Sequence, residues 1–100
     1  MGNIYKKLRS EFDYIIGYGY VFNHLEHHYI MPSIVYKKGY EEMQIGFNYE
    51  DYVIFIIYYK NNNLIGKNIL ENSEFCDKSF LEQVKCAKIK LTAFLCNSGK

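Results

Sequence analysis

Apolar residues along this chain recur with two different periods, and each change of period marks an element. Ile4, Leu8, Phe12, Ile15 and Ile16 return every three or four positions, which lays one apolar stripe along a helix. Lys6, Lys7, Ser10, Glu11 and Asp13 fall mostly off that stripe, and Asn3 is a suitable cap for the first turn. Gly17 and Gly19 supply the freedom that a helix stop needs, so the spacing predicts a helix over residues 4–17. Near the other end, Phe80, Val84, Ala87, Leu91, Phe94 and Leu95 repeat at the same period. Ser79 stands three residues ahead of Glu82, the reciprocal capping pattern, and a second helix is predicted over residues 79–95.

Between the helices the period drops to two. Met43, Ile45, Phe47 and Tyr49 alternate with Gln44, Gly46 and Asn48, as in a strand with one buried and one wet face. Residues 52–59 are apolar on both faces, with Val53, Phe55 and Ile57 on one and Ile54, Ile56 and Tyr58 on the other. A strand of that kind is central or covered twice. Residues 33–37 form a strand after Pro32, which lacks an amide donor and disfavours helix at Met31. Residues 20–29 hold an edge strand, and residues 64–70 a short further strand or an irregular crossing. Turns at Lys38-Gly39 and Glu50-Asp51 point to an antiparallel meander. Each helix has one stripe to bury, and the sheet has one strongly apolar face. The expected fold is a single α+β domain over residues 1–100: two helices packed on one face of an antiparallel sheet of three to five strands, in the order α-β-β-β-β-α.

Composition narrows the classes of function. One hundred residues at 49% hydrophobic and 23% charged describe one ordinary globular domain and argue against a disordered chain. A net charge of +1 exerts no long-range pull toward nucleic acid or anionic membrane. Eleven tyrosines and seven phenylalanines are more rings than one small core holds, which places some on the surface, where tyrosine favours interfaces. The longest apolar run is too short to span a bilayer, and the first residues lack the apolar core of a leader. Cys76, Cys86 and Cys96 show no C-x-x-C spacing and fit free thiols in a reducing cytoplasm.

Candidate chemistry is sparse. His24, Glu26, His27 and His28 form the one ligand-rich cluster. Were the segment helical, His24 and His28 would share a face, yet Leu25 stands where an H-E-x-x-H site requires glutamate, and no cysteine is near. Exposed histidines are the plainer reading. Cys76, just ahead of the second helix, is the thiol best placed for activation, although inert thiols are the ordinary case. Glu41-Glu42 and Glu50-Asp51 sit at turns, where solvated charge is expected. Gly17-Tyr18-Gly19 is not continued as a dinucleotide fingerprint, and Gly66-Lys67 leads into Asn68 rather than completing a phosphate loop. The expectation is no enzyme, no metal and no cofactor.

Binding remains. With both helices on one face, the other face stays open, and Tyr36, Tyr52, Ile54, Ile56 and Tyr58 are assigned to it as binding residues. An apolar and aromatic patch of that kind marks a protein interface, with a second copy of the chain as a close variant. The alternative is a small-ligand or nucleic-acid-binding module, in which Tyr36, Tyr52 and Tyr58 stack bases beside Lys37 and Lys38. Strands clustered between two helices do not follow the βαββαβ order of the RNA-binding sheet.

The runs Pro32-Ser33-Ile34-Val35-Tyr36-Lys37, Met43-Gln44-Ile45-Gly46-Phe47 and Tyr49-Glu50-Asp51-Tyr52 resemble small bacterial proteins, some of them grouped with the immunity proteins of polymorphic toxin systems. The likeness covers about half the chain, mostly its strands, and transfers no functional residue. It implies a cytoplasmic inhibitor that binds a toxin domain and performs no catalysis.

Overall fold

The computed structural model describes residues 3–61, 66–70 and 78–98. Helix α1 (Asn3–Phe12) runs into a 3-10 helix (Asp13–Tyr18). Five strands follow: β1 (Val21–Glu26), β2 (Ser33–Lys38), β3 (Glu41–Asn48), β4 (Val53–Lys60) and β5 (Lys67–Asn68). Helix α2 (Phe80–Ser98) closes the order. The strands form one antiparallel sheet in sequence order, so the chain is α+β with an uncrossed meander.

Two expected boundaries move. The first helix tightens to 3-10 winding after Phe12, which keeps Ile15 inside the core while Ile16 faces solvent. Gly19 ends it at φ 98°, with its amide donating to the Ile16 carbonyl. The second helix continues past residue 95 to Ser98. Of the segment 64–70, the pair Lys67–Asn68 is strand against β4, and the remainder up to residue 65 lies outside the described residues, as do Cys76 and the turn expected over 72–77.

Both helices lie on the same face of the sheet. Ile4, Leu8 and Phe12 of α1 and Val84, Ala87, Leu91 and Leu95 of α2 share one core with Ile34, Tyr36, Met43, Ile45, Phe47, Ile54 and Ile56. Lys88 on α2 reaches Glu11 on α1 at 2.8 Å, and the Tyr14 hydroxyl donates to the Lys88 carbonyl, so the helices also touch each other. The Ser79–Glu82 capping box is present in both directions at 3.3 Å.

One buried polar side chain joins helix to sheet. Gln83 accepts the Ile54 amide proton at 2.8 Å and donates to the Tyr52 carbonyl at 2.8 Å and to the Lys78 carbonyl at 3.2 Å. The amide of Ile54 lies beyond the reach of the short β5, and Gln83 supplies the partner that strand does not. On the second face, Gly46 lets the Phe55 ring and the loop before β2 close over the sheet: a Cβ there would overlap that ring and come within 2.6 Å of the Pro32 carbonyl oxygen.

Two substitutions test these contacts. Gln83→Leu leaves the Ile54 amide buried without a partner and is expected to cost about 2–3 kcal/mol. Gly46→Ala forces the ring and the loop apart at a cost of about 1–3 kcal/mol. Urea unfolding followed by far-ultraviolet circular dichroism reads both.

Candidate functional site

The residues assigned to an open face do not share one. In the β3–β4 register, Phe47 pairs with Ile54, Ile45 with Ile56 and Met43 with Tyr58, while Tyr36 pairs with Met43 across β2 and β3. Paired residues share a face. Tyr36, Ile54, Ile56 and Tyr58 therefore lie on the side the helices cover. Ile54 and Tyr36 are 0% exposed and Ile56 is 1% exposed, and the Tyr58 ring stands 4.8 Å from that of Phe94 on α2. The expected platform of Tyr36, Tyr52 and Tyr58 is not assembled either. Tyr52 alone of the five is on the surface, at 68% exposure, and it belongs to the β3–β4 turn.

The second face carries Ser33, Val35, Gln44, Gly46, Phe55, Ile57 and Tyr59, and it is partly closed. Ser33 and Val35 are buried, and Gln44 donates to the Ser33 hydroxyl at 2.8 Å. Gly66 lies directly against this face, because a Cβ there would overlap the Ile57 side chain.

Tyr36 has a structural duty instead. Its hydroxyl donates to Asp13, whose two carboxylate oxygens also take the Arg9 guanidinium at 3.2 Å each. Arg9 in turn stacks 3.8 Å above the Phe22 ring. Burial first, and the Asp13 carboxylate second, push the Tyr36 hydroxyl pKa well above the ordinary tyrosine value. In the same cross-strand row, on the other side of Met43, the Tyr58 hydroxyl donates to Glu41 at 2.7 Å, and burial together with that carboxylate pushes it up to about 12. Nearby, the Tyr20 hydroxyl is buried with no hydrogen-bond partner, and burial raises its pKa strongly too.

The three histidines go three ways. His24 on β1 lies between Asn23 at 2.6 Å and Glu26 at 2.8 Å. His27 meets the Tyr5 ring edge-on at 5.1 Å. His28 accepts the amide protons of Ile30 and Met31 on its Nδ1 at 3.1 and 3.0 Å, which folds the loop between β1 and β2 back on itself. Among the described residues no three histidine, cysteine or acidic side chains converge on a point that could hold a metal. Cys86 is half-buried and Cys96 is exposed, and both are free thiols.

Where the structure does gather exposed rings is the end of the sheet formed by that loop and the β3–β4 turn. Ladder-like bonds extend β3 into the loop, from the Phe47 amide to the Pro32 carbonyl and from the Tyr49 amide to the Ile30 carbonyl. The N-terminal turn of α1 completes this end. A cleft of about 390 Å³ is lined by Ile4, Tyr5, His27, His28, Tyr29, Pro32 and Tyr49. A second, of about 330 Å³, is lined by Tyr29, Ile30, Tyr49 and Glu50. Tyr29 and Tyr49 thus wall both, and Tyr29 is 91% exposed. Phe47 continues the ring cluster inward, with contacts to Tyr49 at 5.0 Å, Tyr52 at 6.5 Å and Phe80 at 5.7 Å.

No protein-family model, curated protein or solved structure matches the chain. No described helix is long and apolar enough to cross a membrane.

The tyrosines make a checkable pattern. A hydroxyl whose folded pKa is raised holds its proton more tightly than the unfolded chain does. Its contribution to stability is full below the ordinary value of 10.0 and is lost as pH rises through about 12, the value for Tyr58. Alkaline unfolding is therefore expected in that window, read by tyrosinate absorbance alongside circular dichroism. Tyr20→Phe removes a hydroxyl with no partner and is expected to leave stability unchanged or higher, whereas Tyr36→Phe costs about 1–2 kcal/mol.

Proposed function

We propose that this chain is a non-enzymatic protein-binding domain that works through the aromatic end of its sheet. The observation that carries this reading is Tyr52. Its backbone holds φ 56°, in the left-handed region that bulky side chains avoid, and its ring stands largely in solvent. Such a residue costs on the order of 1 kcal/mol, and an exposed ring regains little of it within the monomer. Strained residues cluster at functional sites, and one held beside solvent-facing rings supports a contact surface here. Tyr29 and the two clefts lie in the adjoining loop, and tyrosine anchors are the side chains on which protein interfaces concentrate their energy.

The partner class follows from the resemblance of the strand region to immunity proteins of polymorphic toxin systems. On that reading the chain occludes a toxin domain in the cytoplasm, a setting that suits the free thiols of Cys86 and Cys96. Occlusion needs only a rigid, complementary surface, and no residue here is asked to make or break a bond.

The test is calorimetric titration against a toxin domain encoded beside this chain. A stoichiometric complex is expected. Tyr29→Ala and Tyr52→Gly should each weaken it about tenfold or more. Tyr52→Gly should at the same time leave the unfolding free energy unchanged or raise it by about 1 kcal/mol, because glycine accepts the left-handed backbone freely. Unaltered affinity in both variants would remove this surface from the interface, and no complex at all would end the inhibitor reading.

A further inference from the structure

The two clefts share a wall, and what lines them narrows what they accept. We propose that they dock a proline-rich segment of a protein partner in the polyproline II conformation, with a basic residue of that segment set against Glu50 and Asp51. This rests on the protein-binding reading above and names the chemistry of the partner.

Three observations carry it. The first is shape and lining. Tyr29 and Tyr49 form a ridge between two shallow hollows, and Tyr5, His27 and Pro32 supply flat or apolar walls to the larger one. Aromatic walls spaced as a pair of hollows suit the rings of a polyproline II helix, which repeats every three residues and presents its prolines in successive grooves. The second is hydrogen bonding. A polyproline II strand makes no internal hydrogen bonds, so its carbonyls need donors. The hydroxyls of Tyr29 and Tyr49 and the imidazole of His27, all along the cleft walls, are the groups able to donate to them. The third is charge. Neither cleft is lined by lysine or arginine. Glu50 lines the smaller one, and Asp51 follows it in the same exposed turn. Lys7, at this end of α1, is drawn over the Phe80 ring at 5.8 Å. The rim therefore complements a cation.

Rigidity favours this occupant over a looser peptide. His28 pins the loop through two backbone amides, and Asn48 accepts the Glu50 and Asp51 amides at 2.8 and 3.3 Å, so both walls are fixed before anything binds. A polyproline II ligand is likewise ordered in advance, and little conformational freedom is lost on docking.

The experiment is a titration of the full ¹⁵N-labelled chain, followed by amide chemical shifts, with the synthetic peptide Pro-Pro-Leu-Pro-Pro-Arg. Saturable shifts confined to residues 4–5, 27–32 and 47–52 are expected, with a dissociation constant on the order of 100 µM. Tyr29→Ala should weaken binding about tenfold or more. Glu50→Lys should weaken the arginine-ended peptide severalfold and leave a glutamate-ended version no weaker than before. Absence of saturable shifts up to about 1 mM peptide overturns the proposal. So does equal binding of a peptide with alanine in place of every proline, or the same shifts arising from protein concentration alone, which would make a second copy the occupant. If the toxin-domain complex depends on Tyr29 while the peptide fails to bind, the proline-rich partner is wrong and the protein-binding reading stands. If the peptide binds and the toxin domain does not, the immunity assignment fails and the docking surface stands.

Discussion

The four-residue turn from Tyr49 to Tyr52 decides which side of the sheet every apolar residue of β4 occupies. With Asn48 paired to Val53, odd positions on β3 face even positions on β4. Met43, Ile45 and Phe47 are the clear apolar row of β3, so Ile54, Ile56 and Tyr58 join them, and this double row is what the two helices bury. One residue more or fewer in the turn would exchange the two faces of β4. The turn is held by three independent devices. Asn48 binds two turn amides, Gln83 binds the Tyr52 carbonyl and the Ile54 amide, and the Tyr52 backbone accepts a left-handed conformation.

The same turn forms half of the candidate site. Fixing the core register and presenting the rings are therefore one structural task. Phe47 spans both, since it lies in the core cluster and touches Tyr49, Tyr52 and Phe80. The opposite half of the site comes from the β1–β2 loop, which His28 folds and which the Phe47 and Tyr49 amides stitch to β3. Side chains at this end hold positions set by the sheet, so the proposed contact would need little reorganisation.

The helices, the meander and the fold class were legible because each rests on a local pattern. The period of the second helix and its Ser79–Glu82 cap are properties of neighbouring residues, and so is the alternation through β3. The face of β4 was not legible. Both its rows are apolar, and their assignment depends on the turn's length and on the pairing it enforces, not on anything within residues 52–59. Ile54, Ile56 and Tyr58 therefore lie under the helices rather than in the open, and Tyr36 on β2 joins the same covered row through its pairing with Met43. The clefts are not legible in the sequence for a related reason: Tyr5, His27, Tyr29 and Tyr49 come from three separate stretches, and only the fold brings them together. A faint signal existed in the surplus of tyrosines and in the poorly alternating stretch from Asn23 to His28, where a strand bulges between Phe22 and His24 and then gives way to a loop.

Gln83 has a second effect, on how the molecule meets its own kind. An edge strand with unsatisfied amides is a template for a neighbouring chain, and this protein is rich in the isoleucine, tyrosine and phenylalanine that favour such growth. On the β4 side, β5 occupies one stretch of the edge and a helix-borne carboxamide occupies the Ile54 position. On the β1 side, the bulge breaks the flatness a docking strand would need, and His24 and Glu26 place a polar pair along it. Glutamine in a helix thus serves as a stopper at the Ile54 position, closing one place on the β4 edge where a neighbouring strand would bond.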